Sequence, residues 1–63
     1  MKISIIIPCY NEEKTIEKII DKIIGQKIEN FEIIVIDDFS TDQTRKLLNE
    51  NLKDKVHKII FNE

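Results

Sequence analysis

Phe31-Glu32-Ile33-Ile34-Val35-Ile36-Asp37-Asp38-Phe39-Ser40-Thr41-Asp42-Gln43-Thr44 is an apolar run that stops at two carboxylates and passes into helix-starting residues. Ile33 to Ile36 are four β-branched residues without polar alternation, the pattern of a strand covered on both faces in a parallel sheet backed by helices. In open sheets of that kind ligands bind in the crevice beyond the carboxyl ends of the strands, where Asp37 and Asp38 stand. Ser40 suits a helix N-cap with Gln43 three residues on, and Asp42 adds negative charge where the helix dipole favours it.

Working outward, Ile3 to Ile7 predicts a first strand that Pro8 ends, since proline cannot donate to a central ladder. Asn11 suits an N-cap, and Ile16, Ile19, Ile20, Ile23 and Ile24 recur at helical spacing between charges, the stripe of an amphipathic helix. Gly25 falls where a left-handed C-cap residue is expected. The second strand spans about Phe31 to Asp37. A second helix over about Asp42 to Asn51 offers Thr44, Leu47, Leu48 and Leu52 as its inner face, and after the polar loop Lys53 to Lys55 a third strand covers Val56 to Phe61. The order β-α-β-α-β predicts a parallel sheet with right-handed crossovers, a three-layer α/β arrangement with strands in the order 3-2-1. The first strand then lies at an apolar edge that invites self-association.

Composition narrows the class. The chain has 63 residues, 41% hydrophobic and 35% charged, with one glycine and one proline, and a domain this short buries only about 60% of its unfolded surface. Three strands are half of a doubly wound sheet, so residues 1–63 read as the N-terminal portion of one larger domain. A formal net charge of −2, with lysines alternating with acids, presents no basic field for nucleic acid. Cys9 is the sole cysteine, which excludes an internal disulfide and suits a reducing, cytoplasmic setting. No run approaches the roughly 20 apolar residues of a membrane span, and the apolar N-terminal stretch is too short for a signal peptide. With no histidine beside it and no excess of positive charge, Cys9 reads as a small apolar filler, and His57 as a surface imidazole.

The segments Ser4-Ile5-Ile6-Ile7-Pro8-Cys9-Tyr10-Asn11-Glu12-Glu13 and Glu32 to Thr44 resemble the two opening motifs of family 2 glycosyltransferases of the GT-A, Rossmann-like fold. The wording around Pro8 to Glu13 is most similar to the polyprenyl-phosphate (dolichyl-phosphate) hexosyltransferase branch. The resemblance implies an enzyme that transfers a hexose, with inversion, from a UDP- or GDP-sugar to an acceptor hydroxyl, a glycan or a polyprenyl phosphate, in the cytoplasm or at the cytoplasmic membrane face. It implies that Pro8, Tyr10 and Glu12 line the nucleotide pocket, Tyr10 against the base and Glu12 near base or ribose, and that Asp38 reads the base edge. Asp37 either joins this nucleotide-binding set or shapes the turn that presents Asp38. The chemistry fits, because an ionised carboxylate only accepts hydrogen bonds, while uracil N3–H and the guanine N1–H and N2–H2 edge donate them. The family's commonest wording has glycine at positions 39 and 43. Phe39 therefore argues against a left-handed backbone there, since a bulky residue with positive φ is an outlier.

The resemblance also implies a divalent cofactor, Mg or Mn, held by an Asp-x-Asp motif on a later strand, and a general base that also follows later. Neither a catalytic residue nor a metal site is therefore expected among these 63 residues, and the isolated fragment is expected to be inactive. A non-catalytic Rossmann-like nucleotide-binding or assembly fragment is the alternative. A nicotinamide-binding domain would need glycines after the first strand, and Pro8-Cys9-Tyr10-Asn11 has none. A receiver module would carry its paired acids after the first strand, whereas here they follow the second.

Overall fold

The computed structural model describes residues 2–26 and 29–62. Five elements follow in the expected order: β1 (Ile3–Cys9), α1 (Ile16–Ile24), β2 (Phe31–Asp38), α2 (Thr44–Leu47, continuing as a π-helix over Leu48–Leu52) and β3 (Lys58–Asn62). The strands form one parallel sheet in the order β1-β2-β3, with Ile7 opposite Val35 and Val35 opposite Ile59.

The core occupies one face of this sheet. Ile7, Cys9, Ile33 and Val35 pack with Ile16 and Ile20 of α1 and with Leu48 and Leu52 of α2. Both helices therefore lie on the same side, a consequence of two crossovers of one hand stepping the chain in one direction across the sheet. The opposite face is open: Ile6 is 57% and Ile60 37% exposed, while Ile34 and Ile36 are half-buried. The expectation that β2 is covered on both faces is thus corrected, and the described residues make two layers, not three. The same geometry accounts for the helix stripe, of which Ile16 and Ile20 are buried while Ile19 and Ile24 remain partly exposed.

Several local expectations are also corrected. β1 runs on through Pro8, paired in register with Ile36, to Cys9; β1 is an edge strand, where a missing N–H is tolerated. Gly25 closes α1 in the right-handed region (φ −69°), its N–H bonded to the Asp21 carbonyl, so no left-handed cap forms. Helix α1 begins at Ile16, after a turn in which the Glu12 carbonyl accepts from Thr15 and Ile16 N–H, and Asn11 is no N-cap. β3 starts at Lys58 rather than Val56. His57, exposed just before it, exchanges two hydrogen bonds with the Ile33 backbone, its N–H donating to the Ile33 carbonyl and its Nδ1 accepting from Ile33 N–H, both 2.9 Å. Finally, Phe39 does adopt φ +61°, the left-handed conformation its bulk argued against.

Candidate functional site

The carboxyl ends of β1 and β2 lie side by side, Cys9 opposite Asp37, and each runs into a turn rich in Asn, Asp, Ser and Thr. Such residues bond backbone groups left unpaired at turns. Here they bond across the gap. The Asn11 backbone, at φ +52°, donates its N–H to Ser40 Oγ at 2.9 Å, and its side-chain Oδ1 accepts from Thr41 N–H at 2.7 Å and Asp42 N–H at 3.3 Å. Glu12 N–H donates to Thr44 Oγ1 at 2.8 Å, and Glu13 N–H to Asp42 Oδ2 at 3.4 Å. The two turns are therefore clamped into one unit.

Asp37 anchors that unit from below. Its side chain is fully buried on the helix-covered face. Oδ1 accepts from the Ser40 hydroxyl and, at 3.7 Å, from Cys9 Sγ; Oδ2 accepts from Ser40 N–H at 3.1 Å and lies 3.2 Å from Arg45 Nε. The Arg45 guanidinium also sits over the Phe61 ring at 4.8 Å and the Phe39 ring at 5.8 Å. Ser40 is thereby taken up by Asp37 and Asn11, and the N-cap expected of it passes to Gln43, with no side-chain cap bond. Asp42 meets the helix start instead, Oδ1 accepting from Thr44 N–H at 2.9 Å.

The electrostatics follow from these contacts. Burial, then the charge of Asp37 and its hydrogen bond, push the Cys9 thiol up to about 12. A thiol that holds its proton is a poor nucleophile. Iodoacetamide at pH 8 is accordingly expected to leave Cys9 unlabelled in the folded protein and to label it fully in urea; rapid native-state labelling by mass spectrometry would refute this. For Asp42, desolvation is opposed and outweighed by hydrogen bonds from Thr44 and Glu13, which hold its carboxyl below the ordinary 3.8. A carboxylate depressed on folding stabilises the clamp above that value, and this contribution is lost as pH falls below it.

Of the residues the sequence singles out, the structure groups three. Pro8 pairs with Ile36, and Asp38 lies two residues beyond Ile36, so by strand alternation Pro8 and Asp38 share the open sheet face. Tyr10 follows on the adjoining turn, 54% exposed. Glu12 is half-buried and accepts from the Thr15 hydroxyl. Asp37 and Asp38, adjacent in sequence, are split by the sheet: one is sealed beneath it, the other exposed. The clamp residues Asn11, Ser40, Asp42 and Thr44, and the anchor Arg45, were not legible as a site. Their only trace was two turn-forming clusters placed after consecutive strands.

Two open hollows of about 400 and 350 Å3 lie along α2, one bordered by Arg45 and Phe61, the other by Glu13 and Gln43; neither includes Pro8, Tyr10 or Asp38. Among the described residues there is no group of three or more His, Cys, Asp or Glu side chains that could hold a metal ion.

Comparison with known proteins decides the family. The model of glycosyl transferase family 2 matches residues 4–63. The chain belongs to glycosyl transferase family 2. Among relatives of this family, a poly(ribitol-phosphate) beta-glucosyltransferase of Bacillus spizizenii is 46% identical over 84% of the chain, and an uncharacterized glycosyltransferase of Haemophilus influenzae is 50% identical over 97% of it. The chain spans 9% and 19% of these two family 2 proteins. The crystal structure of Staphylococcus aureus TarS 1-349 in complex with UDP superposes over the whole chain with a TM-score of 0.81 and 35% identity, the chain covering 19% of that 1-349 chain. TarS 1-349 therefore shares the βαβαβ unit described above.

Proposed function

We propose that this chain forms the nucleoside-recognising front of a family 2 enzyme that transfers a sugar from a nucleotide-diphosphate donor, UDP- or GDP-linked. In this reading the exposed Asp38 carboxylate accepts base N–H donors, Tyr10 offers a stacking face, Pro8 shapes the wall between them, and Asp37 supports the turn from below. The observation that carries it is the placement of Pro8 and Asp38 on one open face at the carboxyl ends of adjacent strands, beside Tyr10, in a unit similar to UDP-bound TarS. The finer proposal is a hexose donor, with a polyprenyl phosphate or a glycan hydroxyl as acceptor, in or facing the cytoplasm. A divalent ion, Mg or Mn, would neutralise the donor diphosphate; Asp38 and Tyr10 serve the base alone.

The test is calorimetric titration of the natural protein carrying this sequence with UDP, GDP and NADH, with and without manganese. One diphosphate should bind and NADH should not. Asp38→Ala should weaken that affinity by about 1–3 kcal/mol, the cost of leaving bound donors without an acceptor, and Tyr10→Ala should act in the same direction. Unchanged affinity in both variants would sink the assignment.

A further inference from the structure

Asp38 is exposed, yet both of its sequence neighbours are held by one side chain. Arg45 Nε lies 3.2 Å from Asp37 Oδ2 on one side of Asp38, and the same guanidinium sits 5.8 Å from the Phe39 ring on the other. The Phe61 ring, 4.8 Å away, backs the guanidinium. Phe39 makes this grip consequential. Of the three non-glycine residues with positive φ among the described residues, two are asparagines, which tolerate it. Phe39 is not of that kind, and the residue is 55% exposed, so its burial returns little to offset a strained backbone. Strain of this sort persists where surrounding contacts over-determine it, and it gathers at binding sites.

We infer that Arg45 is a positioning residue for nucleoside recognition: by holding Asp37 and Phe39 at once it sets the backbone on both sides of Asp38 and so aims the carboxylate at the base. The inference rests on the functional reading above. The planar guanidinium is required, because only a plane can stack on the rings while its Nε faces a carboxylate. Through Ser40, which is bonded to both Asp37 and Asn11, the same grip reaches the turn that bears Tyr10.

The experiment measures Kd for UDP, GDP and ADP in the natural protein carrying this sequence, for wild type, Arg45→Gln and Arg45→Lys, at a temperature where circular dichroism shows each fully folded. Adenine lacks the ring N–H that Asp38 would read, so the ratio of ADP Kd to that of the preferred diphosphate reports how well Asp38 is aimed. Arg45→Gln should lower this ratio about tenfold, the worth of one charge-assisted hydrogen bond. Arg45→Lys keeps a charge beside Asp37 but loses the plane, and should lower the ratio by about threefold. A purely structural role would weaken all nucleotides in parallel; an unchanged ratio in both variants overturns the inference. Should Arg45→Gln fail to fold, Arg45→Lys decides it, and a wild-type ratio there overturns it alone. A wild-type protein that prefers neither UDP nor GDP to ADP overturns the functional reading itself, and the positioning role with it.

Discussion

Asp37→Ala is expected to lower the folding stability of the chain by about 3 kcal/mol, whereas Asp38→Ala next to it should leave stability within about 0.5 kcal/mol. The contrast follows from the sheet. Asp37 is completely buried, accepts from Ser40 N–H, the Ser40 hydroxyl and Cys9 Sγ, and lies against Arg45. Removing it strands the buried Ser40 donors, each costing about 1–3 kcal/mol, and takes away the carboxylate 3.2 Å from Arg45 Nε. Breaking a fully buried pair costs about 3–5 kcal/mol, but the Arg45 side chain is 30% exposed and can turn toward water, which favours the lower bound. Against the roughly 5–15 kcal/mol typical of a native domain, such a loss is a large fraction. Asp37→Asn keeps the shape and an acceptor and should cost about half as much. Urea denaturation followed by circular dichroism distinguishes the three; equal midpoints for Asp37→Ala and Asp38→Ala would show that the sheet does not separate their roles.

The second large effect is expected at Asn11. As an ordinary N-cap, Asn11→Ala would cost about 1 kcal/mol and Asn11→Gly only a few tenths. As the clamp between the turns it does two things, adopting φ +52° and presenting Oδ1 to Thr41 and Asp42 N–H. Alanine forfeits both, so Asn11→Ala should cost about 2–3 kcal/mol. Glycine is at ease with the backbone but lacks the acceptor, and should cost about 1–1.5 kcal/mol. Aspartate keeps an acceptor and tolerates the left-handed region, and should fall within about 1 kcal/mol of wild type. The expected order of thermal midpoints is Asn, Asp, Gly, Ala. A glycine variant within a few tenths of a kcal/mol of wild type would show that the Asn11 side chain bridges nothing.

Element types and their order were readable from the chain because they depend on local pattern. The runs at Ile3 to Ile7 and Ile33 to Ile36 could only be strands. The isoleucine spacing made α1, and Thr44, Leu47, Leu48 and Leu52 were recognised as the inner face of α2, where three are now fully buried. The burial of Cys9 agrees with its local reading as a small apolar filler. The motifs Pro8 to Glu13 and Glu32 to Thr44 also carried the family, because they are contiguous.

What required the tertiary structure is pairing between segments about thirty residues apart. Asn11 and Ser40 both have the chemistry of helix caps, and nothing local says that their hydrogen bonds go to each other instead of to the helices that follow them. Whether Asp37 or Asp38 faces water depends on which sheet face the helices cover, and that is set by the direction in which both crossovers step, not by either carboxylate. The left-handed backbone at Phe39 is likewise invisible in its own neighbourhood, where a bulky side chain argues against it. It becomes intelligible once Arg45 of the next helix, Phe61 of the last strand and buried Asp37 are brought to the same corner of the fold. Local propensity costs about 1 kcal/mol at such a position, and several long-range contacts acting together can exceed it.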